Sequence, residues 1–167
     1  IAGRSQTFMA TDGVHRAEIK NDIVSLLMQD VKNIKTINGN YFMNTGSPHY
    51  IVFREDVETM DVYGEGKKLR WADDFAPGGT NVNFVRPEKN CIYVRTFERG
   101  VEDETLSCGT GVTASAIAAV LSGHFDTVTV PIKTRGGDLS VSFKRGKDVI
   151  TDIWLTGPGT FVFEGKI

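Results

Sequence analysis

Cysteine, histidine and long apolar runs are all scarce in this chain, and each scarcity excludes a class of protein. Its 167 residues include two cysteines and three histidines, widely separated and without a CxxC pair. Neither a disulfide-rich scaffold nor a zinc site is therefore expected. The longest stretch of apolar and small residues, Gly109–Leu121, is too short and too rich in Thr and Ser to cross a bilayer. We expect a reducing, cytoplasmic setting and no membrane partner.

An excess of charge of one sign is also lacking. Nineteen Lys and Arg oppose 21 Asp and Glu, giving a net charge of −2, and the two signs are interspersed. This pattern supplies no basic field for nucleic acid and no acidic tail. Apolar residues make up 40% of the chain, which at this length can bury a core without covalent staples. The chain opens on Ile1, in a segment with the composition of the middle of a strand, so we expect a fragment of a longer protein.

Short apolar segments separated by turn residues predict a chain dominated by strands. The predicted strands are 7–10, 16–20, 23–29, 41–44, 50–54, 81–85, 91–97, 128–133, 139–143, 149–155 and 161–163. Two helices are predicted: residues 56–71, interrupted by Gly64 and Gly66, and residues 110–122, which are apolar on every side and stop at Gly123. A helix that is apolar all round must be enclosed, so the expected fold is α+β, with a sheet wrapped around one central buried helix.

The cysteine directly before the predicted buried helix is the main candidate for chemistry. Cys108 is followed by Gly109, Thr110 and Gly111, whose N–H groups would lie at the helix start, where a carboxylate or phosphate binds. The same position is expected to lower the thiol pKa from ~8.5 towards neutrality, so that the sulfur can exchange a proton with carbon. A free cysteine is more often a small buried hydrophobe, and Cys91, in a strand without glycines, is interpreted in that way.

Polar side chains upstream of this cysteine offer further ligand groups. Glu98 and Arg99 alone would be a solvated pair, but beside a thiol the guanidinium suits a carboxylate and Glu98 suits an ammonium. The acidic residues 102–104 are interpreted as a solvated loop. Asn81 and Asn83 share one face of a predicted strand, which indicates a polar role because asparagine is a poor strand former.

The segment from Glu98-Arg99-Gly100 to Cys108-Gly109-Thr110-Gly111 resembles the second cysteine motif of the diaminopimelate epimerase family. Four supporting segments stand in the same order and spacing as in that family: Gly46-Ser47-Pro48-His49, residues 79–85, residues 135–139 and residues 155–158. The resemblance covers nearly the whole chain.

The resemblance implies a protein of two similar domains, each a curved, mostly antiparallel sheet around a central helix. The ligand would lie in the cleft between the domains, with one cysteine from each. Residues 1–155 would form the second domain, and residues 156–167 a tail strand that returns to the first. The implied reaction interconverts L,L- and meso-diaminopimelate by proton transfer at the α-carbon, in the synthesis of lysine and a cell-wall precursor.

The resemblance also implies a role for each motif residue, with no cofactor and no metal. Cys108 would be one acid/base. Gly109 and Thr110 would donate N–H groups to the reacting carboxylate, Asn81 and Arg99 would hold the distant carboxylate, and Glu98 the ammonium. Ser47 and His49 would have lesser binding roles, since many members carry Asn at the position of Ser47.

The family's other cysteine motif is absent from this chain, and Cys91 cannot replace it. The implied partner is therefore a missing N-terminal domain with the second cysteine, and the chain alone is expected to be inactive. A homodimer is left open. Two alternatives also stay open: a proline racemase or hydroxyproline epimerase, which lacks the Glu-Arg lead, and a non-catalytic carboxylate-binding module.

Overall fold

The structure, a computed structural model, describes residues 5–10, 13–160 and 162–165. Within these ranges the chain forms thirteen strands, two α-helices and one short 3₁₀ helix at Asp73–Phe75. The strands are β1 (Ser5–Ala10), β2 (Gly13–Lys20), β3 (Ile23–Leu27), β4 (Val31–Lys32), β5 (Lys35–Ile37), β6 (Asn40–Asn44), β7 (Pro48–Phe53), β8 (Asn81–Pro87), β9 (Ile92–Glu98), β10 (Asp103–Thr105), β11 (Thr129–Thr134), β12 (Gly137–Arg145) and β13 (Val149–Pro158). The helices are α1 (Val62–Arg70) and α2 (Gly109–Leu121).

The strands join one mixed sheet in the order β1-β2-β3-β13-β12-β11-β9-β8-β7-β6-β5, with β10 added to β9 and β4 to β13. Neighbouring strands are antiparallel except for the parallel pairs β7–β8 and β9–β11. The N-terminal meander enters the sheet through the antiparallel pairing of β3 with β13, so strands from the two ends of the chain lie side by side. The predicted mostly antiparallel sheet is confirmed.

Helix α2 lies at the centre of this sheet, in contact with strands β6 to β9 and β11 to β13. Residues 111–120 are all buried, as expected for a helix that is apolar on every side. The buried hydroxyls of Thr113 and Ser115 donate to backbone carbonyls one turn earlier, at 2.9 and 2.8 Å, so their burial leaves no unpaired donor. Gly123, with φ +79°, follows the helix as predicted, because the left-handed conformation there suits glycine.

The two faces of β8 contact different cores. Val82 and Phe84 pack in a small cluster beneath α1, together with Val57, Val62 and Phe97. Period-2 alternation turns Asn81 and Asn83 to the opposite face, towards the start of α2. The sheet therefore carries buried asparagines on the side where the helix begins.

Several predicted elements differ from those in the structure. Helix α1 begins only after Asp61, whose side chain accepts a hydrogen bond from the Gly64 N–H at 2.9 Å, so the predicted helix 56–71 is too long. Strands β4, β5 and β10, each of two or three residues, were not predicted. Of the predicted strand 161–163, Phe161 lies outside the described residues, while Val162 and Phe163 have no regular structure.

The predicted division at residue 155 falls inside β13, which continues to Pro158 in the same sheet. The two-domain organisation therefore stays a prediction. In the described part of the chain, no helix is both long and apolar enough to cross a membrane.

Candidate active site

Cys108 is the N-cap residue of α2, as the sequence predicted. Its extended backbone, with φ −129° and ψ 110°, turns the chain from the preceding loop into the helix, and its carbonyl accepts from the Val112 N–H at 2.9 Å. The backbone N–H groups of Thr110 and Gly111 lie close enough to favour a thiolate, although neither caps the sulfur with a full hydrogen bond. The Thr110 hydroxyl lies 3.5 Å from the sulfur.

Cys108 lines a cavity at the start of α2, although the residue is only 8% exposed. The cavity has a volume of about 430 Å³. Its lining residues come from β1, β2, β3, β9, β13, the segment beyond β3 and the start of α2: Phe8, Ala10, His15, Leu26, Met28, Glu98, Ser107, Cys108, Gly109, Thr110 and Leu155. A carboxylate, a thiol and the beginning of a helix therefore share one cavity with apolar walls.

The predicted lowering of the thiol pKa is wrong for this arrangement. Burial raises the pKa of Cys108, and the charge of Glu98 adds to the rise, while the Thr110 hydroxyl and the backbone N–H groups of Thr110 and Gly111 oppose it. Burial dominates because the sulfur is nearly removed from water, which penalises the thiolate. Cys108 therefore holds its proton at neutral pH.

His49 is fully buried behind the helix start. Burial lowers its pKa to about 3, with a smaller contribution from the charge of Arg99, so the imidazole is neutral. Its Nε2 lies 2.9 Å from the Thr110 hydroxyl and 3.0 Å from the Ser47 hydroxyl. The predicted binding candidates Ser47, His49 and Thr110 are thus brought together, but His49 faces Thr110 and not the cavity.

Asn81 ties the turn before β7 to the end of β9. Its amide nitrogen donates to the Pro48 carbonyl at 2.7 Å and to the Ser47 hydroxyl at 3.2 Å, and its oxygen accepts from the Arg99 N–H at 2.8 Å. Both amide hydrogens are therefore used within the protein. A contact from Asn81 to a ligand carboxylate stays a prediction that requires one of these bonds to be released. Arg99 itself is exposed.

The acidic run before Cys108 is not a solvated loop, contrary to the sequence-based interpretation. Glu104 lies in β10 with a side chain only 13% exposed, and it accepts two hydrogen bonds of 2.7 Å from buried Arg95. Arg135 adds a third contact to Glu104, at 3.0 Å. Glu102 forms a salt bridge with Arg70. Among the described residues of the run, only Asp103 is both exposed and without a salt bridge. These ion pairs hold the segment that leads from Arg99 to Cys108.

Sequence reasoning missed two groups near the thiol. His15 was given no role in the sequence analysis, yet it is buried and lines the Cys108 cavity. Thr96 was not considered, yet its hydroxyl donates to Asn83 at 3.0 Å on the same side of the sheet. Strand alternation could have signalled Thr96, since β9 pairs directly with β8 at Asn83, whereas nothing local to His15 indicates the cavity.

A metal site finds no support in the geometry. Within residues 5–10, 13–160 and 162–165, no group of three or more His, Cys, Asp or Glu side chains is placed to hold an ion. The chemistry that this arrangement can perform is that of a thiol next to a carboxylate and the positive end of a helix.

Comparison with known proteins decides the family. A family model described as diaminopimelate epimerase matches residues 41–162. The chain belongs to the diaminopimelate epimerase family. The match includes the start of α2, the turn before β7 and the cysteine motif, which confirms the resemblance found in the sequence.

Two relatives named diaminopimelate epimerase align over the whole chain. The relative from Flavobacterium psychrophilum is 45% identical over 169 residues, and the one from Aquifex aeolicus is 39% identical over 179 residues. The chain spans 66% and 63% of their lengths, somewhat less than two thirds.

Solved structures support the fold of this epimerase-family chain at low identity. A phenazine biosynthesis protein of the PhzF family from Bacillus anthracis has a TM-score of 0.70 at 13% identity, over 95% of this chain and 66% of that protein. A predicted epimerase from Pseudomonas aeruginosa has a TM-score of 0.58 at 13% identity, over 94% of this chain and 64% of that protein. The open mixed sheet around a helix is therefore a fold found in solved structures.

Proposed function

We propose that this chain is one part of an enzyme that interconverts L,L- and meso-diaminopimelate, and that Cys108 is one of its two acid/base groups. One observation carries the proposal: Cys108 stands at the start of a buried helix and lines a cavity that Glu98 also lines. Membership of the diaminopimelate epimerase family supports the choice of substrate.

The helix start supplies stabilisation where negative charge develops. When a base removes the α-proton of an amino acid, the electron pair spreads into the adjacent carboxylate. The first N–H groups of a helix have no intrahelical acceptor, so those of Gly109 and Thr110 can donate to that carboxylate. Removing one such donor from an enzyme site typically costs about 10²–10³ in kcat. The cavity has apolar walls, and closure of the proposed N-terminal domain over it would strengthen these interactions by excluding water.

Cys108 begins the reaction as the acid. Its thiol holds its proton at neutral pH because burial raises the pKa, so it can deliver hydrogen to the face of the α-carbon that it contacts. It can do so only once a base on the opposite face has removed the original proton, because the α-carbon then carries the electron pair that accepts the new hydrogen. We infer that this base is a second thiol in an N-terminal domain that this chain does not contain. No pyridoxal phosphate or metal is required by this scheme.

The ligand's distant amino-acid centre gives the other site residues their roles. In this proposal the exposed Arg99 binds the distant carboxylate through its two-pronged guanidinium, and Glu98 binds the ammonium. Asn81 holds the Arg99 backbone in place and contacts the same carboxylate when a donor is released. Ser47 and His49 support the Thr110 hydroxyl from behind. The product would serve lysine and cell-wall precursor synthesis, in a cytoplasmic setting that keeps both cysteines as thiols.

The test is a comparison of substrates and variants in the intact protein, meaning this chain joined to the proposed N-terminal domain. We expect turnover of L,L-diaminopimelate, none of proline, and loss of turnover in Cys108→Ala but not in Cys91→Ala. Cys91 is the matched control, since it is also a buried free cysteine but hydrogen-bonds Glu88 far from the cavity. Preferred turnover of proline would contradict the substrate, and normal activity of Cys108→Ala would remove Cys108 from the mechanism.

A further inference from the structure

A continuous line of polar groups runs through the sheet behind Cys108. The Thr96 hydroxyl on β9 donates to the Asn83 oxygen at 3.0 Å, and the Asn83 amide nitrogen lies 3.0 Å from His49 Nδ1. His49 Nε2 lies 2.9 Å from the Thr110 hydroxyl, which lies 3.5 Å from the Cys108 sulfur. Asn83 and His49 are both fully buried, so each of their polar atoms must find its partner inside the protein.

The orientation of the Asn83 amide is fixed by a backbone carbonyl. The amide atom that faces His49 also lies 3.4 Å from the carbonyl oxygen of Tyr50. A carbonyl only accepts, so this atom is the NH₂ group, and the amide oxygen faces Thr96. His49 Nδ1 therefore accepts a hydrogen bond from Asn83.

The hydrogen of His49 consequently lies on Nε2. Burial keeps the ring neutral, with a pKa lowered to about 3, so it carries a single N–H, and Nδ1 is already an acceptor. Nε2–H then donates towards the hydroxyls of Thr110 and Ser47, and neither hydroxyl can donate back to it.

The hydrogen bonds of the Ser47 hydroxyl determine where its own hydrogen is directed. Its hydroxyl accepts from the Asn81 amide at 3.2 Å and lies 3.3 Å from the Thr110 hydroxyl oxygen. With donors arriving at Ser47 from Asn81 and His49, its own hydrogen is directed to Thr110. The Thr110 oxygen is then an acceptor on two sides, and its hydrogen remains for the Cys108 sulfur.

We propose that Asn83 is a positioning residue, which holds His49 in the tautomer with hydrogen on Nε2 and so directs the Thr110 hydroxyl hydrogen to the Cys108 sulfur. The hydroxyl then stabilises the thiolate each time Cys108 gives up its proton, because a hydrogen bond to a charged acceptor is stronger than one to a neutral acceptor. Glycine at position 111 makes this arrangement possible, since a Cβ there would overlap the Asn83 oxygen.

Other charged groups near the sulfur do not enter the line. Glu98 from β9 and His15 from β2 share the cavity with Cys108, and the charge of Arg99 acts on His49. Substitutions at Asn83, Thr96 and Thr110 leave these three charged or titratable groups in place. The direct electrostatic effects of the three groups on the thiol therefore stay constant.

The first test reads the tautomer directly in the unmodified 167-residue chain. Nitrogen NMR of the histidine rings at neutral pH should give His49 an Nε2 that carries hydrogen and an Nδ1 with the shift of a bare, hydrogen-bonded nitrogen. Hydrogen on Nδ1, or a mixture of both tautomers, would overturn the proposal.

The second test measures thiolate formation by ultraviolet absorbance in a Cys91→Ser background, so that Cys108 is the only thiol, and subtracts the tyrosine signal measured in the same chain carrying Cys108→Ala. We expect Thr110→Val to raise the Cys108 pKa, with about tenfold less thiolate at a given pH, equivalent to about one pKa unit. Asn83→Leu should shift the pKa in the same direction. Combining Asn83→Leu with Thr110→Val should add little, because Asn83 acts only through the hydroxyl.

Matched controls separate positioning from general disturbance of the core. Thr113→Val removes a buried hydroxyl from the same helix, one that donates to the Gly109 carbonyl, and it should leave the Cys108 pKa unchanged. Additive effects of the Asn83 and Thr110 variants, or an unchanged pKa in Asn83→Leu, would contradict the proposal. If Asn83→Leu does not fold, Asn83→Ala also removes the donor to His49 Nδ1 and must show the same direction of shift.

The relevance to catalysis rests on the proposed function, but the tests do not. Tautomer and thiol pKa are measured without substrate. A confirmed tautomer in a protein that does not epimerise diaminopimelate would disprove the function alone, whereas an active enzyme with hydrogen on Nδ1 would disprove the role of Asn83 alone.

Discussion

At the residue scale, two opposing effects act on the sulfur of Cys108. The start of α2 and the Thr110 hydroxyl favour the thiolate, whereas burial favours the thiol, and burial dominates. The position of the cysteine could be predicted, because N-cap geometry and the following glycines are local in sequence. The direction of the pKa shift could not, because the cavity walls come from β1, β2 and β13, distant in sequence from the motif.

His49 makes stability depend on pH. Its ordinary pKa of 6.5 falls to about 3 in the folded chain. As pH falls below 6.5, His49 binds a proton in the unfolded chain but not in the folded chain. The free energy of unfolding therefore keeps its full value above pH 6.5 and decreases between pH 6.5 and about pH 3, by about 1.4 kcal/mol per pH unit. We expect His49→Gln to flatten this decline, as measured by urea unfolding at about pH 7 and about pH 4.

The exposed His124 provides the control for that measurement. His124→Gln should retain the pH dependence of the original chain. Equal slopes for His49→Gln and the original chain would show that His49 takes up its proton in the folded state, which would contradict a lowered pKa for its ring.

At the element scale, the sequence predicts the helices and strands whose formation depends on residues that are close together in the chain. Helix α2 and the meander β1–β3 follow from composition, alternation and turn residues. Strand β10 is only three residues long, and it lies against β9 through backbone pairing and the ion pair of Glu104 with Arg95. The neighbouring positions of β3 and β13, whose Ser25 and Thr156 hydroxyls lie 2.9 Å apart, depend on residues 131 positions apart in the chain. No local signal predicts such a pairing.

The loop before Cys108 should depend strongly on this one ion pair. Arg95 is buried and also donates to the carbonyls of Val57, Glu58 and Met60, so it cannot leave when its partner is neutralised. Glu104→Gln should therefore destabilise the fold by about 3 kcal/mol or more, since an uncompensated buried charge remains. Urea unfolding measures the loss, and hydrogen exchange should show faster opening of residues 99–107.

A surface pair serves as the comparison. Glu65 and Lys68 form an exposed ion pair on α1, and Glu65→Gln should change stability little because water screens such pairs. Similar losses in Glu104→Gln and Glu65→Gln would mean that the Arg95 pair is not what holds the loop.

At the scale of the whole molecule, the cavity at Cys108 is assembled from both ends of the chain. Phe8 and His15 from the N-terminal strands line it together with Leu155 from β13 and the start of α2. The site therefore depends on the complete sheet, not on the cysteine motif alone. The proposed second thiol must approach the substrate from the side opposite Cys108.

The isolated chain should not epimerise diaminopimelate. With one thiol at the cavity it can deliver or remove hydrogen on a single face of the α-carbon, and inversion requires both faces. Incubation of the 167-residue chain with L,L-diaminopimelate in heavy water should leave the stereochemistry unchanged by chiral chromatography. Net inversion by this chain would refute the two-thiol scheme.

The central claim is that the Cys108 sulfur exchanges a proton with the α-carbon, and the most direct measurement is the rate of deuterium entry at that carbon in the intact protein. Cys108→Ser keeps the size of the side chain but not its acidity, and it should slow deuterium entry by about 10²-fold or more. Cys91→Ser should leave the rate close to that of the unmodified protein. A Cys108→Ser variant that incorporates deuterium at the unmodified rate would contradict the claim.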